Sequence, residues 1–129
     1  MTPAERFAAA PVARLATVGA DGAPHLVPLV FAVAGETIHS AVDAKPKRHR
    51  GLKRLANIAA EPRVSLLVDH YADDWTTLWW VRADGLAVVR ETSAAGLAAL
   101  AGKYEQYRVT PPPGPFIEIV VRRWTAWSA

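Results

Sequence analysis

Hydrophobic and polar residues alternate with a period near two over several separate stretches of this chain. A period of two places successive side chains on opposite faces of a strand. The pattern predicts strands over Val12–Val18, His25–Val33, Thr37–Val42, Arg63–His70, Trp75–Arg90 and Phe116–Ser128. Pro28 inside the second run points to an edge or a bulge, because proline cannot donate to a ladder. Ala83-Asp-Gly85 interrupts the fifth run and predicts a bulge or tight bend. Gly19-Ala-Asp-Gly22 and Ala34-Gly-Glu36 carry residues that tolerate positive φ, so both predict turns. The apolar centre of Arg63–His70 is nearly continuous, which predicts burial on both faces.

Three segments follow helical spacing instead. Thr2-Pro-Ala-Glu5 is a helix start with Thr as N-cap, Pro at the first position and Glu at the third, and Pro11 ends the helix near Ala10. Lys47–Ala60 places Leu52, Leu55, Ala56 and Ala59 on one face and Lys47, Arg50, Arg54 and Asn57 on another. Ser93–Tyr107 is rich in Ala and Leu, with Ser93 as its cap. Thr110–Pro115 is a stiff proline-rich connector. Six strands with hairpin links and small helices predict a mainly β, α+β domain over residues 1–129, built as an antiparallel barrel that leaves few exposed edges.

The chain has 129 residues, 51% of them hydrophobic, enough for one domain with a modest core. It has no cysteine, which removes disulfides, thiolate metal sites and Cys nucleophiles. That composition suits a reducing cytoplasm. No signal peptide and no membrane-length apolar run are expected.

The net charge is +3, and it is concentrated. Between Lys45 and Arg54 lie six cations (Lys45, Lys47, Arg48, Arg50, Lys53, Arg54) and no acid. The run falls where a strand gives way to a helix. A helix start offers unpaired N–H groups and a positive dipole end, so cations added there make an anion site. Two or three of them suffice for one phosphate, and the others are solvated.

A second concentration is aromatic. Trp75, Trp79 and Trp80 lie within six residues of one another. In a strand, Trp79 and Val81 face one way, Trp80 and Arg82 the other. A small barrel cannot bury large rings on both faces, so a ligand ring or a second subunit must cover one of them. Asp69, His70, Asp73 and Asp74 follow no recognised metal-ligand spacing, and no metal is expected. No Ser-His-Asp grouping or Gly-rich phosphate loop can be read, so no catalytic side-chain set is expected. A cofactor would then carry the chemistry.

Motifs spread along the chain resemble the pyridoxamine 5′-phosphate oxidase class of split β-barrels, in particular its branch that uses the deazaflavin coenzyme F420. They are Ala13-Arg-Leu-Ala-Thr-Val with Asp21-Gly-Ala-Pro-His; Asp43-Ala-Lys-Pro-Lys; Glu61-Pro-Arg-Val-Ser-Leu-Leu-Val-Asp-His-Tyr; Asp74-Trp75 through Leu78-Trp-Trp-Val-Arg82; and Arg123-Trp-Thr-Ala-Trp. The resemblance implies a six-stranded split barrel of the FMN-binding type. It also implies a homodimer with two cofactor sites at its interface and a small-molecule substrate. By matching positions, Val27, Pro28 and Leu29 would lie along the cofactor ring through backbone groups, with Val42 beside it. Lys45, Lys47, Arg48, Lys53 and Arg54 would supply the phosphate cations. Trp75 and Trp79 would close the site from the partner chain. The implied activity is hydride transfer between reduced F420 and a conjugated or unsaturated acceptor, with Arg82 and Tyr71 as candidates to polarise it. The second strand lacks a basic residue for a flavin phosphate, which argues against oxidation of pyridoxamine phosphate itself.

Three rivals remain at the level of sequence. FMN could replace F420, although the negatively charged polyglutamate tail of F420 favours the extra cations. A non-catalytic flavin or haem module would need an axial ligand such as His25 or His70. A nucleic-acid surface would combine the basic helix with aromatic stacking, but Asp73 and Asp74 oppose it. Neither nucleic acid nor membrane is expected as a partner.

Overall fold

The computed structural model describes residues 1–42 and 50–129. It opens with helix α1 (Pro3–Ala9), closed by the expected capping box: Thr2 accepts from the Glu5 N–H, and Glu5 accepts from the Thr2 N–H. Strands β1 (Ala13–Val18), β2 (Pro24–Leu29), β3 (Ala32–Ala34) and β4 (Thr37–Ala41) follow, then helix α2 (Arg50–Ala60) and strand β5 (Arg63–His70). Strand β6 (Trp79–Arg90), helices α3 (Ala94–Lys103) and α4 (Glu105–Val109), and strand β7 (Phe116–Ser128) complete the chain. Among the described residues seven strands form one antiparallel sheet in the order β2-β1-β5-β6-β7-β4-β3.

That order explains the barrel. β2 and β3 lie at opposite ends of the sheet, yet only Val30 and Phe31 separate them in the chain. Three Cα steps span at most about 11 Å. The two edges must therefore meet, and the sheet must curl. This corrects the expectation of six strands: His25–Val33 is two strands joined by a bend, and Pro28 lies on the edge strand, where a missing N–H costs no ladder bond. Inside the curl lie the fully buried Phe7, Leu15, Phe31, Ile38, Leu66, Ile117 and Ile119. Phe7 carries α1 into one end of the barrel, with its ring 4.9 Å from Phe31 and 5.2 Å from Trp124.

Other boundaries moved for identifiable reasons. Trp75–Thr77 is a short 3₁₀ turn, not the start of a strand, because Asp74 caps it by accepting from the Thr76 N–H and hydroxyl. The interruption at Ala83-Asp-Gly85 is a bulge between Asp84 and Gly85, and β6 runs through it. A Cβ at Gly85 would collide with the Val120 carbonyl, so the bulge requires glycine. β5 does not bury both faces evenly: Val64, Leu66 and Val68 are buried, while Ser65 and Leu67 are half-exposed. No helix among the described residues is long and apolar enough to cross a membrane.

The expected single helix over Ser93–Tyr107 is broken at Tyr104, whose backbone is extended (φ −115°, ψ 121°). The break frees the Tyr104 side chain to reach the barrel bend. Its hydroxyl accepts from the Phe31 N–H at 3.0 Å, and it lies 2.8 Å from the Phe31 carbonyl and 2.9 Å from the Pro11 carbonyl as donor. Beside it, the Lys103 ammonium donates to the Ala10 carbonyl at 2.6 Å and sits 3.7 Å from the centre of the Phe31 ring. Tyr104→Phe leaves the Phe31 backbone groups unpaired, and a loss of about 2 kcal/mol is expected in urea unfolding.

Burial pushes the Lys103 ammonium down to about 8, and the Phe31 ring face offsets part of that cost. The folded state then binds fewer protons than the unfolded state above pH 8, so stability rises with pH from there. Burial also raises the Tyr104 hydroxyl, which has the opposite sign and reverses the rise above the usual tyrosine range. Chemical denaturation between pH 7 and 10 should show the increase, and Lys103→Met should flatten it.

Candidate functional site

Helix α2 carries the described end of the basic segment. Lys53 is exposed, Arg54 and Leu55 are half-buried, and Asn57 and Ile58 are buried. The inward face is therefore Arg54, Leu55, Asn57 and Ile58. Ala56 and Ala59, expected on the apolar face, are exposed. The reason lies in one buried bond: Asn57 Nδ2 donates to the Thr17 hydroxyl of β1 at 3.0 Å, which fixes the helix rotation. That rotation turns Arg54 inward. Its Nε is buried and has no hydrogen-bond partner among the described residues, and burial lowers the guanidinium pKa. Lys45, Lys47 and Arg48 lie outside the described residues.

A guanidinium stays charged even when partly desolvated. A half-buried cation without an acceptor is costly, and an anion seated against it would recover that cost. The arrangement therefore fits a phosphate. Leucine in place of asparagine at position 57 would seat as well by volume but lacks the donor to Thr17. Asn57→Ala is expected to cost about 1–3 kcal/mol in urea unfolding, since it leaves the buried Thr17 hydroxyl without its donor.

β2 pairs with β1, the strand on which α2 packs. Val27 is half-buried against the core, Pro28 is exposed and Leu29 is buried. Because β2 ends the sheet, the backbone on its outer edge has no ladder partner among the described residues. Such an edge can take a flat polar ring by main-chain hydrogen bonds. The buried His25 Nδ1 on this strand likewise has no partner among the described residues. Val42 follows β4, half-buried, with its N–H donating to the Pro115 carbonyl at 3.0 Å.

The tryptophans divide by role. Trp79 packs on the core, with the Arg6 guanidinium 4.6 Å above its ring and His70 stacked at 6.4 Å. Its surface is largely taken up within its own chain. Trp75 is 77% exposed on the 3₁₀ turn and is free to cover something. Trp80 and Arg82 point to the outside of the sheet, as alternation requires, with the guanidinium 5.8 Å from the ring centre.

The outside of the sheet holds two grooves. The larger, about 850 Å³, includes Glu61, Arg63, Ser65, Asp84 and Arg122. Much of its charge is already paired. Arg63 donates to Glu61 at 2.7 Å, while Asp84 accepts from the Ser65 hydroxyl at 2.5 Å, from Arg82 at 3.2 Å and from Arg123 at 3.3 Å. Burial pushes the Asp84 carboxyl up, but the Ser65 hydroxyl and the two guanidiniums outweigh it and hold the carboxyl below its ordinary range. The smaller groove, about 420 Å³, includes Arg14, Leu26, Asp69, Tyr71, Trp80 and Arg82. Arg14 and Leu26 were not singled out in the sequence. The signal was available in the alternation of β1 and β2, which sends both outward. No group of three or more metal-ligating side chains forms among the described residues.

Residues 3–128 match the model of the pyridoxamine 5′-phosphate oxidase family. The chain belongs to this family. A search of curated proteins returns no match. Among solved structures, the chain is similar to the conserved hypothetical protein Rv2991 from Mycobacterium tuberculosis, with 25% identity over 99% of this chain and 85% of that one, at a TM-score of 0.72. A FAD-binding protein from Mesorhizobium loti is 21% identical over 95% and 89% of the two chains, at a TM-score of 0.71. A heme-binding protein from Mycobacterium smegmatis is 20% identical over 95% of this chain and 54% of that one, at 0.68. Members of the family fold thus share this barrel while their names report different ligands. The ligand of this member must be argued from its own residues.

Proposed function

We propose that this chain is an oxidoreductase that binds a flavin-type coenzyme, the deazaflavin F420 ahead of FMN, and serves a small conjugated acceptor. The carrying observation is Arg54: a half-buried cation on the inward face of α2, without a partner among the described residues, at the end of a six-cation run. The oxidase family and the FAD-binding neighbour support a flavin-like ring beside it. Six cations exceed what one phosphate uses, and a polyanionic tail would engage the others. FMN has no such tail.

In this reading Arg54, with one or two of Lys45, Lys47, Arg48 and Lys53, holds the phosphate, and the remaining cations of the run meet the tail. The backbone of Val27–Leu29 and the end of β4 at Val42 receive the ring. When bound, the coenzyme supplies hydride-transfer chemistry, and the chain supplies placement and exclusion of water. The protein works as a homodimer, with Trp75 approaching the partner's coenzyme, while Trp79 is held by Arg6 and His70 of its own chain. An outward sheet face that displays Leu26 (67% exposed) and Trp127 (43% exposed), with Trp75 exposed on the 3₁₀ turn that leads into β6, favours such an arrangement.

Fluorescence titration with oxidised F420, run beside FMN, tests the reading. F420 should bind more tightly than FMN. Arg54→Glu should weaken F420 by about 100-fold while the far-UV circular dichroism stays unchanged. Preference for FMN would transfer the assignment to that coenzyme, and binding of neither would end it. Sedimentation should give twice the chain mass.

A further inference from the structure

Beneath α3 lies a titratable group that the coenzyme reading does not use. His39 of β4 is 4% exposed, and its Nδ1 has no hydrogen-bond partner among the described residues. Register sets it between Glu118 of β7 and Ala32 of β3. Directly opposed residues send their side chains to the same face. His39 therefore shares its face with Ala32, which belongs to a small second core with Leu100, Tyr107 and Phe116. The first turn of α3 closes over the ring. A Cβ at Gly96 would lie 3.2 Å from His39 Nδ1, so the helix backbone rests on the imidazole.

The carboxylate beside it is already committed. Glu118 accepts from the Ser93 hydroxyl through Oε2 at 2.7 Å and from Arg90 Nε through Oε1 at 2.5 Å. These two donors hold the carboxyl below its ordinary range, so it stays ionised while an imidazole titrates. His39 Nδ1 stands 3.9 Å from Oε2, beyond hydrogen-bond reach. Ser93 is also the cap of α3, accepting from the Gly96 N–H at 2.9 Å. The first turn of α3 carries no acid that could receive a positive charge. With His39 neutral, the charges of Arg90 and Glu118 cancel. A proton on His39 leaves one net positive charge buried beneath the positive end of a helix dipole.

We infer that His39 is an acid-operated latch on the α3–α4 unit: its protonation lifts the first turn of α3 off β4 and loosens the barrel closure at Phe31. Lifting the turn lets water solvate the imidazolium. The movement reaches the closure because α3 ends at Lys103, and the next residue, Tyr104, holds the N–H and the carbonyl of Phe31. Burial lowers the His39 pKa, and Glu118 only partly opposes it. The closed form therefore binds fewer protons than the open form below the ordinary imidazole range, and closure weakens as pH falls there. The latch is a property of the chain alone and holds whichever coenzyme binds.

Amide hydrogen exchange of the intact chain tests it, read as protection factors so that the intrinsic effect of pH is removed. Between about pH 7.5 and about pH 5, protection of Ala94–Lys103 and of the Phe31 N–H should fall about ten-fold. His39→Gln carries no charge at either value and should hold the protection constant. Should that variant fail to fold, the native protein still decides: in an NMR titration the Gly96 amide should shift with the same midpoint as the His39 ring. Four results would each overturn the latch. They are α3 protection that ignores pH, a fall that persists in His39→Gln, a Phe31 N–H that stays protected while α3 opens, and a Gly96 midpoint that differs from that of His39.

Discussion

Barrel closure depends on what happens at Phe31. Two sheet edges meet there because the chain gives them no room to separate, and a bend that tight leaves backbone groups without ladder partners. Tyr104 satisfies both the N–H and the carbonyl of that residue with one hydroxyl, and Lys103 packs its ammonium on the ring. Unpaired buried backbone groups cost more than an ordinary hydrogen bond contributes, so this contact controls whether the closed form is preferred. The position of β2 follows from it, and so does the edge proposed to receive a ring.

The pairing explains why a helix with high local propensity is broken. Ser93–Tyr107 reads as continuous because Ala and Leu dominate and no proline intervenes. What breaks it is a tertiary demand from Phe31, over seventy residues away in sequence. The same kind of demand set the rotation of α2. Periodicity put Ala56 and Ala59 inside, but alanine gains little from burial, whereas the Asn57–Thr17 bond forces a particular face inward. By contrast, β1, β5 and β7 were legible almost to the residue, because alternation and turn chemistry agree there. The α1 cap was legible because its three signals are local. The second strand was not, since a bend between two edges leaves no mark in a run of apolar residues.

The site shows a similar division. A concentration of cations is visible in composition, but which cation is turned inward depends on packing. The tryptophans are visible as a cluster, yet Trp79 is largely absorbed by Arg6 and His70, while Trp75 stays open. Arg14 was passed over because a lone arginine in a strand carries no pattern.

The place of β7 has a consequence for the integrity of the sheet. This strand lies between β6 and β4. Without it the sheet is two pieces: β2-β1-β5-β6 on one side and the β3–β4 hairpin on the other, tethered through Phe31. Both pieces then present an open edge that the thirteen-residue β7 fills. Removing the C-terminal strand would trim no ornament from the fold; it would take away the stave that makes the two halves one barrel.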